Sequence, residues 1–159
     1  MKLLEKEPVE RASKAIKNFD SSINVIELDS SARTAIDAAN SLNCEVGAIV
    51  KSLLFRADGS FVLCLVSGDK KCSLNKLKKI TGKKDVRLAS PEEVKSQTGY
   101  TIGGVSPVGH LNNLDLLVDK SLERFNNIFA AAGHPNCVFR INYLDLIKMT
   151  NAKIWDLVE

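Results

Sequence analysis

A lysine in an apolar stretch and a glycine-rich loop are the two features of this sequence that could support chemistry. Lys51 interrupts the apolar run Gly47–Phe55, and its ammonium group could act as a point charge on a phosphate or a polarised oxygen. The loop Gly99–His110 contains four glycines and one proline in twelve residues, a composition that dictates its backbone shape. The loop is either a rigid cradle for a small polar ligand or a tight connection that binds nothing.

Two histidines extend the possible chemistry, because His110 and His134 each follow a glycine. His134 precedes Pro135 and could position a water molecule or a ribose hydroxyl. Loop N–H groups could hold a carbonyl oxygen as it gains charge, and loop carbonyls could hold an ammonium group. With Lys51, these groups suit hydrolysis of an already activated acyl ester, which needs no serine or cysteine nucleophile. A histidine in a core or a turn is the commoner case, so the residue types alone do not decide.

Hydrophobic periodicity predicts the elements that must position these residues. Helices are expected over 8–19, 32–42 with Ser31 as N-cap, 74–81 after Ser73, 91–97 after the capping box that starts at Ser90, and 143–149 after Asn142. Strands are expected over 23–28, 47–55, 61–66, 86–88, 114–118, 127–131 and 137–141, with a helical turn at 121–125 and a short strand or turn at 153–158. Turns are expected at Asp58-Gly59 and at Gly133-His134-Pro135.

This order of elements predicts a mixed α/β fold. We expect a single domain over residues 1–159, with a large curled mixed β-sheet, partly barrel-like, surrounded by helices. The strands that flank Asp58-Gly59 are almost wholly apolar, which predicts that both of their faces are covered. Lys51 is the exception there, and it either extends outward to solvent or points into a polar site.

Composition and motifs exclude several classes of function. Apolar residues make up 45% and charged residues 26%, as in a globular domain, and no apolar run approaches the roughly 18 residues of a membrane helix. Acidic residues follow Met1 too closely for a signal peptide, so we expect a cytoplasmic protein. The cysteines at 44, 64, 72 and 137 form no Cys-x-x-Cys pair, and no nucleotide-binding fingerprint occurs. We therefore expect no metal and no cofactor, with Cys64 in the core.

Positive charge is concentrated in the middle of the chain, although the net charge is only +3. Such a cluster could face phosphates. It could also be the solvated face of a helix, which is the more common case. The basic residues are Lys70, Lys71, Lys76, Lys78, Lys79, Lys83, Lys84 and Arg87.

Three segments in this order resemble the YbaK and prolyl-tRNA synthetase-associated editing-domain family. They are GAIVKSL at 47–53, LCLVSGD at 63–69 and GYTIGGVSPVGH at 99–110, followed by the Gly-His-Pro sequence at 133–135. The likeness extends over about residues 20–155. It implies a mixed α/β fold and a free-standing deacylase that hydrolyses wrongly charged aminoacyl-tRNA in trans. The implied substrate carries a small amino acid such as alanine or cysteine on tRNA-Pro.

The resemblance also implies roles for individual residues. Lys51 matches the strand lysine that grips the backbone near the tRNA 3′ end, and Gly103 and Pro107 match the ends of the Gly-x-x-x-Pro loop that holds the aminoacyl group. His134 resembles a histidine found in part of the family. Alanine-specific relatives often have asparagine at the position of Ser52, which leaves the amino-acid preference open. The expected catalytic residues are Lys51, Gly103, Gly104, Val105, Ser106, Pro107 and His134; the expected substrate-binding residues are Ser52, Ile102, Gly109 and His110.

Two other classes of function remain open. A non-catalytic module could use the same cleft to bind tRNA ends or a small ligand. A regulatory or docking protein would carry a large exposed apolar patch, of which the sequence gives no obvious sign. For the editing hydrolase, the expected partner is the aminoacyl-tRNA 3′ end, and a synthetase or an elongation factor could select the tRNA. We expect no DNA or membrane partner, and a monomer.

Overall fold

The computed structural model describes residues 2–29 and 34–159. Its α-helices are α1 (Glu7–Phe19), α2 (Ala35–Leu42), α3 (Leu74–Thr81), α4 (Pro91–Thr98) and α5 (Tyr143–Thr150). Its strands are β1 (Ile26–Glu27), β2 (Val50–Ala57), β3 (Ser60–Ser67), β4 (Val86–Leu88), β5 (Asp115–Asp119), β6 (Ile128–His134), β7 (Cys137–Ile141) and β8 (Lys153–Trp155). Short 3-10 helices cover Leu3–Glu5, Val46–Ala48 and Lys120–Arg124.

The strands form two sheets. The five-stranded sheet has the order β4-β2-β3-β5-β8, with β2 antiparallel to β3 and β4 and with β5 parallel to β3 and β8. The three-stranded sheet has the antiparallel order β1-β7-β6. A bridge between Ile49 and Phe129 joins the two. The mixed α/β prediction is confirmed, although the expected large sheet is divided in two and does not close into a barrel.

Strands β2 and β3 are covered on both faces, as predicted. Leu63 and Leu65 pack into the main core, which also contains Ile16 of α1. Cys64 and Val66 point to the opposite face and pack in a second core with Leu77 of α3. Because successive strand residues point to opposite faces, this sheet separates α1 on one side from α3 on the other. The predicted burial of Cys64 is confirmed, since none of its surface is exposed.

The predicted caps of three helices are confirmed. The Ser73 hydroxyl accepts a hydrogen bond from the Lys76 N–H at the start of α3. Ser90 and Glu93 form a reciprocal capping box at α4, and the Asn142 side chain caps α5. The predicted N-cap Ser31 lies outside the described residues. In the described part, α2 begins at Ala35, and Thr34 accepts from the Asp37 N–H.

Three predicted strand boundaries are wrong. The strand expected over 23–28 is reduced to β1, which pairs with β7 at only two positions. The strand expected from Gly47 begins at Val50, because Val46–Ala48 forms a 3-10 turn. The strand expected to end at 131 continues to His134, which pairs with Cys137, so Pro135 and Asn136 form the turn. No helix within 2–29 or 34–159 is long and apolar enough to cross a bilayer.

Candidate active site

A cavity of about 330 Å³ lies at the junction of the two sheets. Its walls come from β2, β6, α2 and the glycine-rich loop. Among its described lining residues, polar side chains belong to Thr34, Lys51 and Ser52 alone. A mostly apolar cavity with a few convergent polar groups is typical of a site for a small ligand.

The cavity exists because one edge of β2 lacks a neighbouring strand over a short stretch. Strand β6 meets this edge at Ile49, and β4 pairs with it only from Phe55 onward. The Ala89 N–H donates to the Leu54 carbonyl at 2.9 Å, which closes the far end of the gap. The residues between Ile49 and Leu54 therefore present an open strand edge to the cavity, and these include Lys51 and Ser52.

The first half of the glycine-rich loop forms one wall of the cavity. Ile102, Gly103 and Val105 line it. Gly103 has a φ of 87°, which favours glycine. A Cβ on Gly104 would lie 2.9 Å from the Cα of His134, and the Gly104 carbonyl accepts from the Gly133 N–H at 3.0 Å. The absence of a side chain at Gly104 thus lets this half of the loop lie directly against the end of β6.

The second half of the loop is anchored behind the cavity, against α1. The Arg11 Nε donates to the Gly109 carbonyl at 2.8 Å, and the Tyr100 hydroxyl donates to the Val108 carbonyl at 2.8 Å. The Arg11 guanidinium also stacks over the Tyr100 ring at 4.5 Å. His110 Nε2 lies 2.7 Å from the Ser106 carbonyl. These bonds fix the shape that the glycines and the proline permit.

Burial affects the charge of His110, one of the residues that anchor the second half of the loop. It lowers the pKa of His110, which the hydrogen bond with the Ser106 carbonyl partly opposes, and the nearby Arg11 lowers it further. The neutral ring can donate from Nε2 to that carbonyl. His110 therefore serves as a neutral hydrogen-bonding group within the loop.

Lys51 contributes to the cavity wall, but its ammonium group is held by the segment that follows β3. Its Nζ donates to the Lys70 carbonyl. Lys51 has the strand parity of Leu53 and Phe55, which pack in the core beneath α3. Burial lowers the pKa of Lys51, while Cys72 and Asp69 favour its charged form. The ammonium group is thus partly desolvated, and a carbonyl oxygen is its partner.

The segment that holds Lys51 is itself fixed by a network around the sequence Ser67-Gly68-Asp69. Arg124 donates to both carboxylate oxygens of Asp69, at 2.9 and 3.2 Å, and this contact lowers the pKa of Asp69. The Gly68 N–H donates to the Ile49 carbonyl at 2.7 Å. A Cβ on Gly68 would lie 2.4 Å from the Val46 carbonyl oxygen. The network therefore locks the start of β2 to the end of β3.

Ser52 has a buried hydroxyl for which the described residues offer no hydrogen-bond partner. It has the strand parity of Val50 and Leu54, which face the main core and line the cavity. Leaving such a group unpaired costs about 1–3 kcal/mol. A ligand that donates to this oxygen or accepts its proton would recover that free energy.

Of the eleven predicted site residues, five line the cavity: Lys51, Ser52, Ile102, Gly103 and Val105. The other six lie outside the lining. Gly104 and His134 pack together behind the wall, where His134 Nδ1 accepts from the Asn136 N–H at 3.0 Å. Burial and the nearby Lys6 lower the pKa of His134. Ser106, Pro107, Gly109 and His110 belong to the anchored half of the loop.

Sequence reasoning missed the walls that distant elements supply. Ala38 of α2, Phe129 of β6 and Leu88 at the end of β4 all line the cavity. The many alanines of α2 indicate close packing, but nothing local says that the partner is a cavity. Arg11 was also missed, since its acceptor Gly109 is 98 residues away. Within the described ranges, no group of three or more His, Cys, Asp or Glu side chains could hold a metal ion.

Comparisons with known proteins identify the family of the chain. Residues 29–149 match the family model described as "Aminoacyl-tRNA editing domain". The chain is 35% identical to the uncharacterized protein YwhH of Bacillus subtilis (strain 168), over 83% of this chain and 84% of that one. It is 38% identical to a solved structure of a candidate trans-editing enzyme for prolyl-tRNA synthetase. That superposition has a TM-score of 0.92 and covers 97% of this chain and 98% of the other.

Part of a much larger enzyme is also similar. The proline–tRNA ligase of Thermosipho melanesiensis is 33% identical over 65% of this chain, but the match spans only 18% of the ligase. The likeness is therefore to one portion of that ligase. The family match covers most of the chain, and the similar solved structure covers nearly all of it. The chain therefore belongs to the aminoacyl-tRNA editing domain family and is an aminoacyl-tRNA deacylase.

Proposed function

We propose that residues 1–159 act as one editing domain that removes a small amino acid, such as alanine or cysteine, from wrongly charged tRNA-Pro in trans. The observation that carries the proposal is the cavity itself, in which the open edge of β2 faces the Ile102–Val105 half of the glycine-rich loop. Similarity to a candidate trans-editing enzyme for prolyl-tRNA synthetase supports the choice of tRNA.

In the proposed reaction, the terminal adenosine of the tRNA enters beside Lys51. A phosphate takes the place of the Lys70 carbonyl as the partner of the ammonium group, since a bond between two opposite charges is stronger than a bond from one charge to a neutral carbonyl. Backbone groups around Gly103–Pro107 hold the aminoacyl carbonyl and amine, and N–H donors stabilise the charge that develops on the carbonyl oxygen.

Water supplies the nucleophile. The vicinal ribose hydroxyl assists it by accepting a hydrogen bond, and the water oxygen adds to the ester carbonyl. The bond between the carbonyl carbon and the ribose oxygen then breaks, and a proton passes to that oxygen. The products are the free amino acid and a tRNA with both terminal ribose hydroxyls restored. His134 acts in this scheme as a positioning residue, because its main chain supports Gly104.

Selection of the amino acid follows from the size of the cavity. Most of the side chains in its walls are small or branched, including Ala35, Ala38 and Val138. A pocket of this kind rejects a side chain that is too large, as in double-sieve editing. The unpaired hydroxyl of Ser52 adds a group that can bond to the substrate. We further propose a monomer that acts in the cytoplasm, where a synthetase or an elongation factor could select the tRNA.

Hydrolysis of a panel of mischarged tRNAs tests this function. The panel carries alanine, cysteine, serine, threonine or 2-aminobutyrate on tRNA-Pro, and free amino acid is measured over time with wild type and Lys51→Ala. We expect rapid release of at least one small amino acid by the wild type and loss of release in the variant. Tight binding without release of any of the five would instead identify a non-catalytic module for tRNA ends.

A further inference from the structure

The basic segment, residues 70–88, begins and ends at the cavity. At its start, the Lys70 carbonyl accepts the hydrogen bond from the Lys51 ammonium group. At its end, Leu88 lines the cavity wall. Between these points the chain carries eight cationic side chains and one carboxylate, that of Asp85. A concentration of positive charge is therefore tied to the cavity at both of its ends.

Helix α3, the centre of the basic segment, lies on the face of the sheet toward which Lys51 points. Its residue Leu77 is fully buried and packs in the same core as Leu53 and Phe55 of β2. Lys51 has the strand parity of those two residues. A polymer that leaves the cavity past the ammonium group of Lys51 would therefore come next to α3.

Most of the cations in the basic segment are exposed and unpaired. Lys76 forms an ion pair with Asp156 at 2.9 Å, and Lys71 lies 3.9 Å from Glu159. The Asp85 and Lys84 N–H groups donate to the Asp58 carboxylate and lower its pKa, and the charges of Lys83 and Lys84 lower it further. Within the part of the chain that the structure describes, five exposed cations of the segment form no ion pair: Lys78, Lys79, Lys83, Lys84 and Arg87.

We propose that the basic segment binds the phosphate backbone of the tRNA acceptor stem while the 3′ end occupies the cavity. This inference rests on the proposed function, which makes the end of an RNA chain the substrate. Lysines that contact phosphates add affinity and orientation without reading base sequence. The segment therefore increases affinity for any tRNA, and the choice of tRNA is made elsewhere.

A variant with four substitutions, called the fourfold variant, tests the role of the basic segment independently of the cavity. Lys78→Ala, Lys79→Ala, Lys83→Ala and Lys84→Ala remove four exposed charges. The matched control removes four exposed lysines elsewhere, at Lys2, Lys14, Lys17 and Lys148. Two substrates are compared, a full aminoacyl-tRNA and a 3′-aminoacyl ester of adenosine, which has no phosphates for the segment to bind. Circular dichroism checks that both variants fold.

For the fourfold variant we expect KM for aminoacyl-tRNA to rise at least about tenfold near 0.1 M salt. Fluorescence anisotropy with uncharged tRNA should show the slope of log affinity against log salt reduced by about 1 for each phosphate that the variant no longer binds. Hydrolysis of the adenosine ester should match that of the wild type. The control variant should change KM by less than about twofold, because its lysines lie outside the basic segment.

Equal KM values and equal salt slopes in the two fourfold variants would overturn this inference and show that the segment is a solvated helix face. A failure of the proposed function gives a different result. In that case the wild type hydrolyses neither substrate, while the anisotropy measurement still reports whether the basic segment binds RNA.

Discussion

The two halves of the glycine-rich loop have similar compositions but different surroundings. Ile102 and Gly103 are exposed at the cavity, and Ile102 keeps 58% of its surface accessible. Ser106 is fully buried, and the segment from Ser106 to His110 is tied to Arg11 and Tyr100 by hydrogen bonds. One half therefore forms a wall that a ligand can reach, and the other fixes that wall to the core.

This difference separates two kinds of mutational effect. Truncating a side chain that faces the cavity should reduce deacylation with little loss of stability, whereas a change in the anchor should reduce stability with little loss of deacylation. Residue type does not distinguish the two halves, because both contain glycine and apolar side chains. The contrast depends on which backbone groups already have partners in the folded protein.

The largest expected effect is that of Lys51→Ala on the cavity side. Deacylation should fall at least about 100-fold, because the ester is misplaced when the ammonium group no longer holds the neighbouring phosphate. The urea midpoint should stay close to that of the wild type, since the loss of the bond to the Lys70 carbonyl is offset by removal of a partly desolvated charge. Single-turnover hydrolysis and urea unfolding measure the two quantities. Lys148→Ala, at an exposed position on α5, is the control. Full activity in Lys51→Ala would remove Lys51 from the mechanism.

Gly104→Ala should have the next largest effect, because it displaces the wall. The new Cβ would meet the Cα of His134 at 2.9 Å, and backbone there cannot move aside cheaply. We expect deacylation to fall about tenfold and the free energy of unfolding to fall by about 1–3 kcal/mol. Gly59→Ala is the control, since that position has a positive φ but open space around it. Deacylation that falls equally in both variants would contradict the proposed contact between the loop and β6.

Tyr100→Phe tests the anchor with a smaller change. It removes the hydroxyl that donates to the Val108 carbonyl at 2.8 Å and keeps the buried ring. The free energy of unfolding should fall by about 1 kcal/mol, while kcat should stay within about twofold of the wild type because the hydroxyl lies behind the cavity. Urea unfolding and steady-state deacylation are the measurements. If Tyr100→Phe lost much of its kcat but none of its stability, the second half of the loop would act in catalysis and not as an anchor.

The smallest expected effect is on the pH dependence of stability through His110. Its pKa in the folded protein lies below the ordinary 6.5 because burial disfavours the charged ring. The unfolded chain therefore takes up a proton more readily, so the free energy of unfolding decreases as pH falls below 6.5, down to the lower pKa of the folded state. His110→Gln should make this decrease shallower. His134, whose pKa is also lowered, keeps its own contribution. Urea midpoints of the wild type and of His110→Gln are measured from pH 7 to pH 5. Two parallel profiles would contradict the claim that His110 causes this decrease.

The sequence predicts the parts of the fold that depend on local signals. The sequence correctly predicts the helix caps at Ser73, Ser90 and Asn142, because each side chain bonds to a backbone N–H three residues away. The turn at Asp58-Gly59 correctly predicts that β2 and β3 pair. The strand expected over 23–28 fails because its length depends on a distant partner, β7, with which β1 pairs at only two positions.

The candidate site is only partly predictable for the same reason. Lys51 and the glycine-rich loop are recognisable by residue type, and the resemblance to a family links them. The anchor on Arg11 and the wall at Phe129 require the tertiary fold, since the interacting residues are far apart in the sequence. The unpaired hydroxyl of Ser52 cannot be read from sequence at all, because it depends on which neighbours fail to reach it.

The most direct test of the account is an amide NMR titration with a non-hydrolysable analogue, 3′-alanylamino-3′-deoxyadenosine. The ligand should shift the amide signals of Ser52, Gly103, Gly104 and Val105, and should leave those of Gly109 and His110 close to their free positions. Shifts confined to the anchored residues, or no shifts along β2, would contradict the claim that the aminoacyl group binds between the open strand edge and the first half of the loop.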